Sequence, residues 1–338
     1  MGYRVAVAGA TGAVGAEILN IMHEMDFPAD EVIPLASSRS VGKEIAYGDD
    51  DRLRVQDLES FDFEGVDIGF FSPGASVSKI HAPRAADAGC VVIDNTSYFR
   101  MDEDIPLVVP EVNPEALEGF RNRNIIANPN CSTIQMVMAL KPLHDIARIK
   151  RVVVSTYQAT AGAGQFGMDE LFEQTKSIYM NDPKEPEVFT KRIAFNCIPF
   201  IDKLMDDGSS KEEWKMNVET KKILDPAIEV TATCVRVPVF VGHAEAVNVE
   251  FDEHIDLDEA REALMNFEGI AVYDDPADHK YTTHIDCVGE FATFVSRLRH
   301  DDTVPYGLNM WVVSDNLRKG AALNTVQIGQ AMIDRGLI

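Results

Sequence analysis

The sequence predicts two domains: an α/β domain of Rossmann-like, doubly wound type, then an α+β domain with a mostly antiparallel or mixed sheet. Three observations carry this. The chain has 338 residues, too many for one small core and enough for two domains without staples. Its first third alternates short apolar runs with segments of helical periodicity, as βαβ units and a parallel sheet require. The remainder contains runs that alternate apolar and polar residues, such as Val247-Asn248-Val249-Glu250-Phe251, with fewer helices between them.

Taken in order, Tyr3–Ala8 reads as a buried strand and Gly12–Met25 as a helix. Strands follow at Glu31–Ala36 and Val66–Phe71, a helix near Ala75–Ala88, then strands at Cys90–Asp94, Leu107–Val109 and Ile125–Ala127. The β-rich runs of the second domain are Lys150–Thr156, Glu229–Val239, Glu245–Phe251, Gly269–Tyr273, Phe291–Leu298 and Leu308–Ser314. Helices near Met168–Tyr179, Lys211–Leu224 and Leu257–Phe267 would cover one face of that sheet and leave the other to solvent or to a partner subunit. A last helix is expected from about Lys319 to Arg335, with Ala322, Val326, Gly329 and Ile333 on one face and Asp315-Asn316 as its cap.

Composition narrows the function classes. Hydrophobic residues at 46% and charged residues at 25% are globular values and exclude a wholly disordered chain. A formal net charge of −24 argues against nucleic acid as a partner, because phosphates repel it, and otherwise reads as solubility. No apolar stretch approaches the roughly 18 residues of a membrane span. The opening Met1–Ala10 segment is too short and too Gly-rich for a signal peptide. The five cysteines, 90, 131, 197, 234 and 287, are odd in number and widely spaced. That argues against a disulfide framework and against a zinc or other metal site, and for the reducing cytoplasm.

Val5-Ala6-Val7-Ala8-Gly9-Ala10-Thr11-Gly12-Ala13-Val14-Gly15 is a strand, a tight glycine turn and a helix start. Gly9 permits the turn, Gly12 lets backbone approach a pyrophosphate, and Gly15 allows close helix packing. Phosphate would sit on the N–H groups that open the helix. The second strand runs into Ser37-Ser38-Arg39-Ser40 with no acid to read a ribose 2′-hydroxyl. Arg39 and the serines suit a 2′-phosphate, which favours NADP; the plain reading of Arg39 is a solvated loop charge.

Asn128-Pro129-Asn130-Cys131-Ser132-Thr133 puts a cysteine at a strand-to-helix junction, with Asn130 able to cap. The helix N-terminus stabilises a thiolate there, lowers its pKa and makes Cys131 a candidate nucleophile. The other four cysteines lie in apolar, strand-like settings that suggest inert buried thiols. Of the eight histidines, His243 has the best context, in a turn between two β-rich runs. Arg236, inside an apolar strand, needs a carboxylate or ligand partner. A lone histidine is more often a surface or core residue.

Together these residues resemble the aspartate-β-semialdehyde dehydrogenase family, bacterial-type branch, essentially end to end. The motifs are Gly9–Gly15, Ser38-Arg39-Ser40, Asn95–Arg100, Asn128–Thr133, Tyr157–Gly164, Glu212-Glu213-Trp214-Lys215-Met216, Cys234–Pro238 with His243, and Asp315–Ala322. The resemblance implies NADP-dependent, phosphorylating conversion of L-aspartate 4-semialdehyde to L-aspartyl 4-phosphate. In lysine, methionine and threonine biosynthesis it runs in the reductive direction. It implies a thiohemiacetal and a thioester on Cys131, with His243 as acid/base and Gln158 orienting the acyl group. Arg236 and Glu212 would bind the substrate carboxylate and ammonium, and Arg100 and Lys215 the phosphate. Gly9, Thr11, Gly12, Ala13, Val14, Arg39, Ser40, Ala161, Gly162 and Asn316 would contact NADP. An NADP-binding domain over 1–130, completed by a C-terminal helix at 316–338, would flank a catalytic and dimerisation domain over 131–315. A homodimer is implied, with a homotetramer as the further option. Many members carry Ser-Gly where this chain has Ala161-Gly162; the lost hydroxyl removes a hydrogen bond worth roughly 0.5–1.5 kcal/mol.

Two rival readings fit part of the same pattern. An N-acetyl-γ-glutamyl-phosphate reductase shares the fold logic but needs no ammonium partner such as Glu212. A non-catalytic dinucleotide-binding regulator would keep the glycine turn without needing Cys131, His243, Arg100 and Arg236.

Overall fold

β1 (Tyr3–Ala8) lies inside a six-stranded sheet of the computed structural model, with Val5 to Ala8 wholly buried. The structure describes residues 2–49 and 51–338. The chain forms two units: residues up to Pro129 together with Ala321–Ile338, and Asn130–Gly320.

In the first unit, β1 leads through the glycine turn into α1 (Ala13–Glu24) and β2 (Ala29–Ala36). β3 (Glu44–Tyr47) and β4 (Asp51–Arg54) make a separate antiparallel hairpin. After β5 (Gln56–Asp57) come β6 (Ile68–Phe71), α2 (Ala75–Asp87), β7 (Val91–Asp94) and β8 (Ile125–Ala127). The order β5-β2-β1-β6-β7-β8 is parallel throughout, as the βαβ pattern predicts. The short β5 is not expected from the sequence, and two further details differ. Leu107–Val109 contributes only a bridge from Leu107 to Ala127. The β3–β4 hairpin has no counterpart in the reading of the sequence, because its residues are half-exposed and charged; only Ile45, Tyr47 and Leu53 reach the core.

The C-terminal helix (Leu323–Asp334) follows a wide turn of π type at Arg318–Ala322. Val326, Ile328 and Met332 share one core with Val7, Ile18, Met22 and Phe70. Each such side chain stabilises the fold by about 1.5–3 kcal/mol over leaving it in water. The helix is buried beyond the single face expected of it, since Asn324 and Thr325 are also enclosed. Asn324 meets the cost by donating to the Val108 carbonyl (3.0 Å) and to Asn128 Oδ1 (2.7 Å).

The second unit opens with α3 (Cys131–Ile146), β9 (Ile149–Gln158), α4 (Gln165–Tyr179) and α5 (Lys211–Ile223). Next come β10 (Glu229–Arg236), β11 (His243–Phe251), α6 (Leu257–Asn266), β12 (Ile270–Val272), β13 (Thr293–His300) and β14 (Gly307–Ser314). The sheet order is β10-β9-β11-β14-β13-β12. It is mixed: β10/β9 and β12/β13 are parallel and the other pairs antiparallel. Residues of α3 and α6 such as Leu140, Leu143 and Leu264 bury one face with Val152, Val247, Val249 and Met310. The opposite face keeps a small cluster around Ala244, Cys287 and Val313, with Tyr281 and Ile285 exposed nearby in the chain. β10 stops at Arg236 rather than Val239, since Pro238 has no N–H to extend the ladder.

Gly15 is the tightest point of the first turn: a Cβ built on it would lie 2.1 Å from the Gly9 carbonyl oxygen. Gly15→Ala is expected to lower stability by roughly 1–3 kcal/mol, read from urea unfolding. An unchanged midpoint would mean that helix and turn have room to separate.

Candidate active site

Strand register builds the centre of the site in the second unit. Gln158, the last residue of β9, pairs with Arg236, the last of β10, and with His243, the first of β11. Neighbouring strands lie about 4.8 Å apart, so the three side chains form one row. All are buried: Arg236 is 6% exposed, Gln158 1% and His243 0%. His243 is therefore not in a turn, as expected, but is an enclosed strand residue. The turn is Gly242, whose φ of +94° favours glycine; its N–H donates to Asn316 Oδ1 at 2.9 Å.

α3 delivers Cys131 as its first residue, with Asn130 as the cap. Asn130 Oδ1 accepts from the N–H groups of Ser132 (3.0 Å) and Thr133 (3.3 Å). Its Nδ2 donates to Glu212 Oε1 at 2.9 Å, and its own N–H donates to Glu219 Oε2 at 2.6 Å. Cys131 is half-buried and close enough to Arg236 to interact with it electrostatically. Gly320 backs it, since a Cβ there would stand 3.0 Å from the Cys131 Cβ.

α5 begins with a capping box, Ser210 and Glu213, and presents Glu212 one turn before Lys215. Glu212 is 4% exposed. Burial alone would raise its pKa, but the Lys215 ammonium, the Asn130 amide and Arg236 outweigh that and bring it to about 2. Lys215 Nζ sits 3.0 Å from Glu212 and 2.9 Å from Asp202, so the pair is enclosed and not a surface i,i+3 contact. Gln158 Nε2 also donates to Glu212 Oε1, at 3.2 Å.

His243 Nδ1 accepts from the Ala159 N–H at 3.1 Å, which leaves the proton of the neutral ring on Nε2. Burial, then the nearby Arg236, pulls its pKa down to about 3, so the ring is neutral at physiological pH. Arg236 Nη1 donates to the Ala159 carbonyl at 2.7 Å. Gly162 leaves room for both: a Cβ on it would come within 2.7 Å of Arg236 Nη1 and 3.3 Å of His243 Nε2. Ala161, 3% exposed, is held by its N–H on the Phe240 carbonyl.

Burial pushes the Cys90 and Cys287 thiols up to about 12 and Cys234 higher still. Cys197 departs from expectation, because it is exposed in a loop.

In the first unit, Gly9, Thr11, Gly12 and Arg39 line a cleft of about 710 Å³. Gly9 has φ of +84°, and a Cβ there would meet the Ser72 backbone at 2.8 Å. No side chain caps α1, so its first N–H groups, at Ala13 and Val14, have no side-chain acceptor. Ser40 closes the short turn after Arg39. Arg100, 8% exposed, donates to the carbonyls of Thr96 (3.1 Å) and Asn95 (3.2 Å). Asp94, fully buried, steadies that loop through Ser78 Oγ (2.5 Å) and Thr96 Oγ1 (2.7 Å). Among the described residues, no group of three or more His, Cys, Asp or Glu is placed to hold a metal, and no helix is long and apolar enough to cross a membrane.

Sequence reasoning missed Asn130 beyond its capping role, and missed Asp94, Glu219 and Glu245 altogether. A carboxylate on a helix or strand carries no local mark of burial. Glu245 is 0% exposed and shares a strand face with His243. Burial, assisted by the Glu212 charge, raises its pKa well above the usual carboxylate range against the pull of Gln135 and Ser132. None of these three side chains closes hydrogen-bond geometry with another.

A carboxyl that stays protonated in the folded chain but ionises when unfolded favours folding at low pH and loses that advantage as pH rises above about 4.5. Glu245→Gln removes the titration. Its Tm relative to the parent is expected to improve between pH 5 and pH 8. Parallel pH dependence in the two proteins would show that Glu245 is ionised in place.

Comparison with known proteins fits this geometry. The family model described as semialdehyde dehydrogenase, NAD binding domain, matches residues 4–120. That of the semialdehyde dehydrogenase dimerisation domain matches residues 140–319. Aspartate-semialdehyde dehydrogenase of Aquifex aeolicus is 50% identical over 342 residues, covering 100% of both chains. Aspartate-semialdehyde dehydrogenase 2 of Vibrio cholerae is 52% identical over 333 residues, covering 98% of both. The crystal structure of aspartate semialdehyde dehydrogenase II complexed with ASA from Vibrio cholerae matches at a TM-score of 0.96 and 51% identity, over 99% of each chain. A nicotinamide-dinucleotide domain of parallel strands, a mixed-sheet domain with an enclosed polar row, and half the residues shared from end to end place this chain in the aspartate-semialdehyde dehydrogenase family of enzymes.

Proposed function

We propose that the enzyme converts L-aspartate 4-semialdehyde, phosphate and NADP⁺ to L-aspartyl 4-phosphate and NADPH, and that biosynthesis of lysine, methionine and threonine uses the reverse. The observation that carries this reading is Cys131 opening α3 under the Asn130 cap, in the unit that also holds the Arg236–Gln158–His243 row and Glu212.

Cys131 Sγ attacks the aldehyde carbon and forms a C–S bond, giving a thiohemiacetal. From its oxyanion form the thiohemiacetal loses hydride, the C=O bond re-forms, and a thioester remains. A phosphate oxygen then attacks the carbonyl carbon, the C–S bond breaks, and the thiolate returns. In the reductive direction the thiolate displaces phosphate from the acyl phosphate. His243 is the proposed acid/base at the substrate oxygen: with Nδ1 occupied by the Ala159 N–H, its Nε2–H is the group that donates to that oxygen as negative charge gathers there. Gln158 steadies the acyl group beside it.

Arg236 spends one N–H on the Ala159 carbonyl, and its remaining fork suits the substrate α-carboxylate. Glu212, ionised by its surroundings, suits the ammonium. That buried charge favours this substrate over an N-acetylated one, which brings no ammonium to pair with it. We assign anion binding for phosphate to Lys215, whose side chain is 12% exposed, and to Arg100, 8% exposed.

The first-unit cleft fits a dinucleotide: Gly9, Thr11, Gly12, Ala13 and Val14 supply the turn and the open helix N-terminus for a pyrophosphate. When bound, the nicotinamide accepts or returns the hydride. Arg39 and Ser40 favour NADP. Two acids also line the cleft, but Asp57 accepts from Ser60 Oγ and the Glu59 N–H, and Glu59 lies 3.3 Å from His81. Ala161, Gly162 and Asn316 complete the proposed cofactor contacts. We further infer a homodimer, consistent with the dimerisation-domain match and the sparsely covered sheet face, and residence in a reducing cytoplasm, consistent with five cysteines and no disulfide among the described residues.

The reaction is tested by NADP⁺ reduction, which should require both aspartate semialdehyde and phosphate. Turnover of N-acetylglutamate semialdehyde instead would overturn the substrate. Cys131→Ser should lower kcat by about a thousandfold or more, and a variant that kept parental kcat would sink the covalent route. Arg39→Ala should raise KM for NADP⁺ by about tenfold, with little change for NAD⁺. Equal effects on the two cofactors would remove Arg39 from phosphate recognition.

A further inference from the structure

Glu219 is 1% exposed and lies on α5, two helical turns beyond Glu212. Glu212, Met216, Glu219, Thr220 and Ile223 are the buried residues of that helix, at the spacing of a single face. Both carboxylates on this face reach one residue. Glu212 Oε1 accepts from the Asn130 side chain at 2.9 Å, and Glu219 Oε2 accepts from the Asn130 backbone N–H at 2.6 Å.

Asn130 is thereby held at every polar group. Its Oδ1 caps Ser132 and Thr133, and its carbonyl accepts from the Ile134 N–H at 2.9 Å. The Glu219 contact differs from the others. The cap and the Ile134 bond lie within the turn itself, and Glu212 holds a rotatable side chain. Glu219 holds the backbone N–H of Asn130, the residue immediately before Cys131, and ties it to a separate helix. A buried carboxylate costs several kcal/mol of desolvation unless paired, and a charge-assisted bond to backbone is among the stronger compensations.

We propose that Glu219 is a positioning residue for the Cys131 nucleophile: through the Asn130 peptide it fixes the turn that aims the thiol, and it touches no substrate. The assignment rests on Cys131 being the nucleophile. It predicts a loss in the chemical step and not in binding, because Arg236, Glu212 and the dinucleotide cleft keep their own partners. Displacement of a reacting atom by about 1 Å can cost up to a hundredfold in rate.

The test compares Glu219→Ala and Glu219→Gln in the full chain by steady-state kinetics and by amide hydrogen exchange of the peptide spanning Asn130–Thr133. Glu219→Ala should lower kcat by at least about tenfold, with KM for semialdehyde and for dinucleotide within about twofold. Exchange should quicken in that turn alone. Glu219→Gln keeps an acceptor oxygen and should recover most of both. Parental kcat and parental exchange in Glu219→Ala overturn the proposal. So does a loss spread through α3 and α5 with a lower Tm and no rescue by Gln, which marks a plain tie between helices. If the parent does not turn over aspartate semialdehyde, the functional reading fails, while exchange in the turn still decides what Glu219 holds.

Discussion

Three strands of the second unit end at one height, and the candidate chemistry depends on that. β9 pairs in parallel with β10 and antiparallel with β11, so the last residues of two strands and the first of the third fall in one row. Side chains alternate with a period of two, so slipping either pairing by one residue would turn Arg236 or His243 to the opposite face. The apolar residues of the same strands resist such a slip. Val152, Val247 and Val249 face the helix-covered core, and moving them would expose the core to water. The polar row thus takes its precision from an apolar constraint lying along the same ladders.

Electrostatics in this unit follow from enclosure. A fully buried imidazole beside a guanidinium stays neutral, and a buried carboxylate with an ammonium, an amide and a guanidinium around it stays charged. A second carboxyl, Glu245, lacks such partners and is pushed toward its neutral form. Glu212 and Glu245 therefore differ in charge because only one has cations in reach.

Much of the architecture was legible because it depends on local pattern. The glycine turn needs short side chains at fixed offsets, and Gly9 and Gly15 meet backbone at distances that no Cβ tolerates. Cys131 was visible as a helix-opening residue for the same local reason. The row was not visible, since positions 158, 236 and 243 are joined only by strand pairing; the family motifs named those residues without saying how they meet. Glu219 escaped notice because its helix is rich in charge, and a buried acid there looks like a solvated one until α3 is laid against it. The β3–β4 hairpin escaped because so little of it is apolar. His243 reads as a turn residue in the sequence because the glycine before it carries the turn.

The chain enters its first unit, leaves at Pro129 and returns at Ala321, which has a consequence during synthesis. A ribosome releases the chain from its N-terminus, so β1 to β8 emerge long before Val326, Ile328 and Met332, which share their core. The second unit is uninterrupted and has all its residues available first. Until the last segment is made, Phe70 and Ile18 lack part of their apolar cover, and the nascent first unit presents a surface of the kind chaperones bind. Completion of the first unit's core therefore waits on the helix at Leu323–Asp334, although the nucleotide turn is translated well before it.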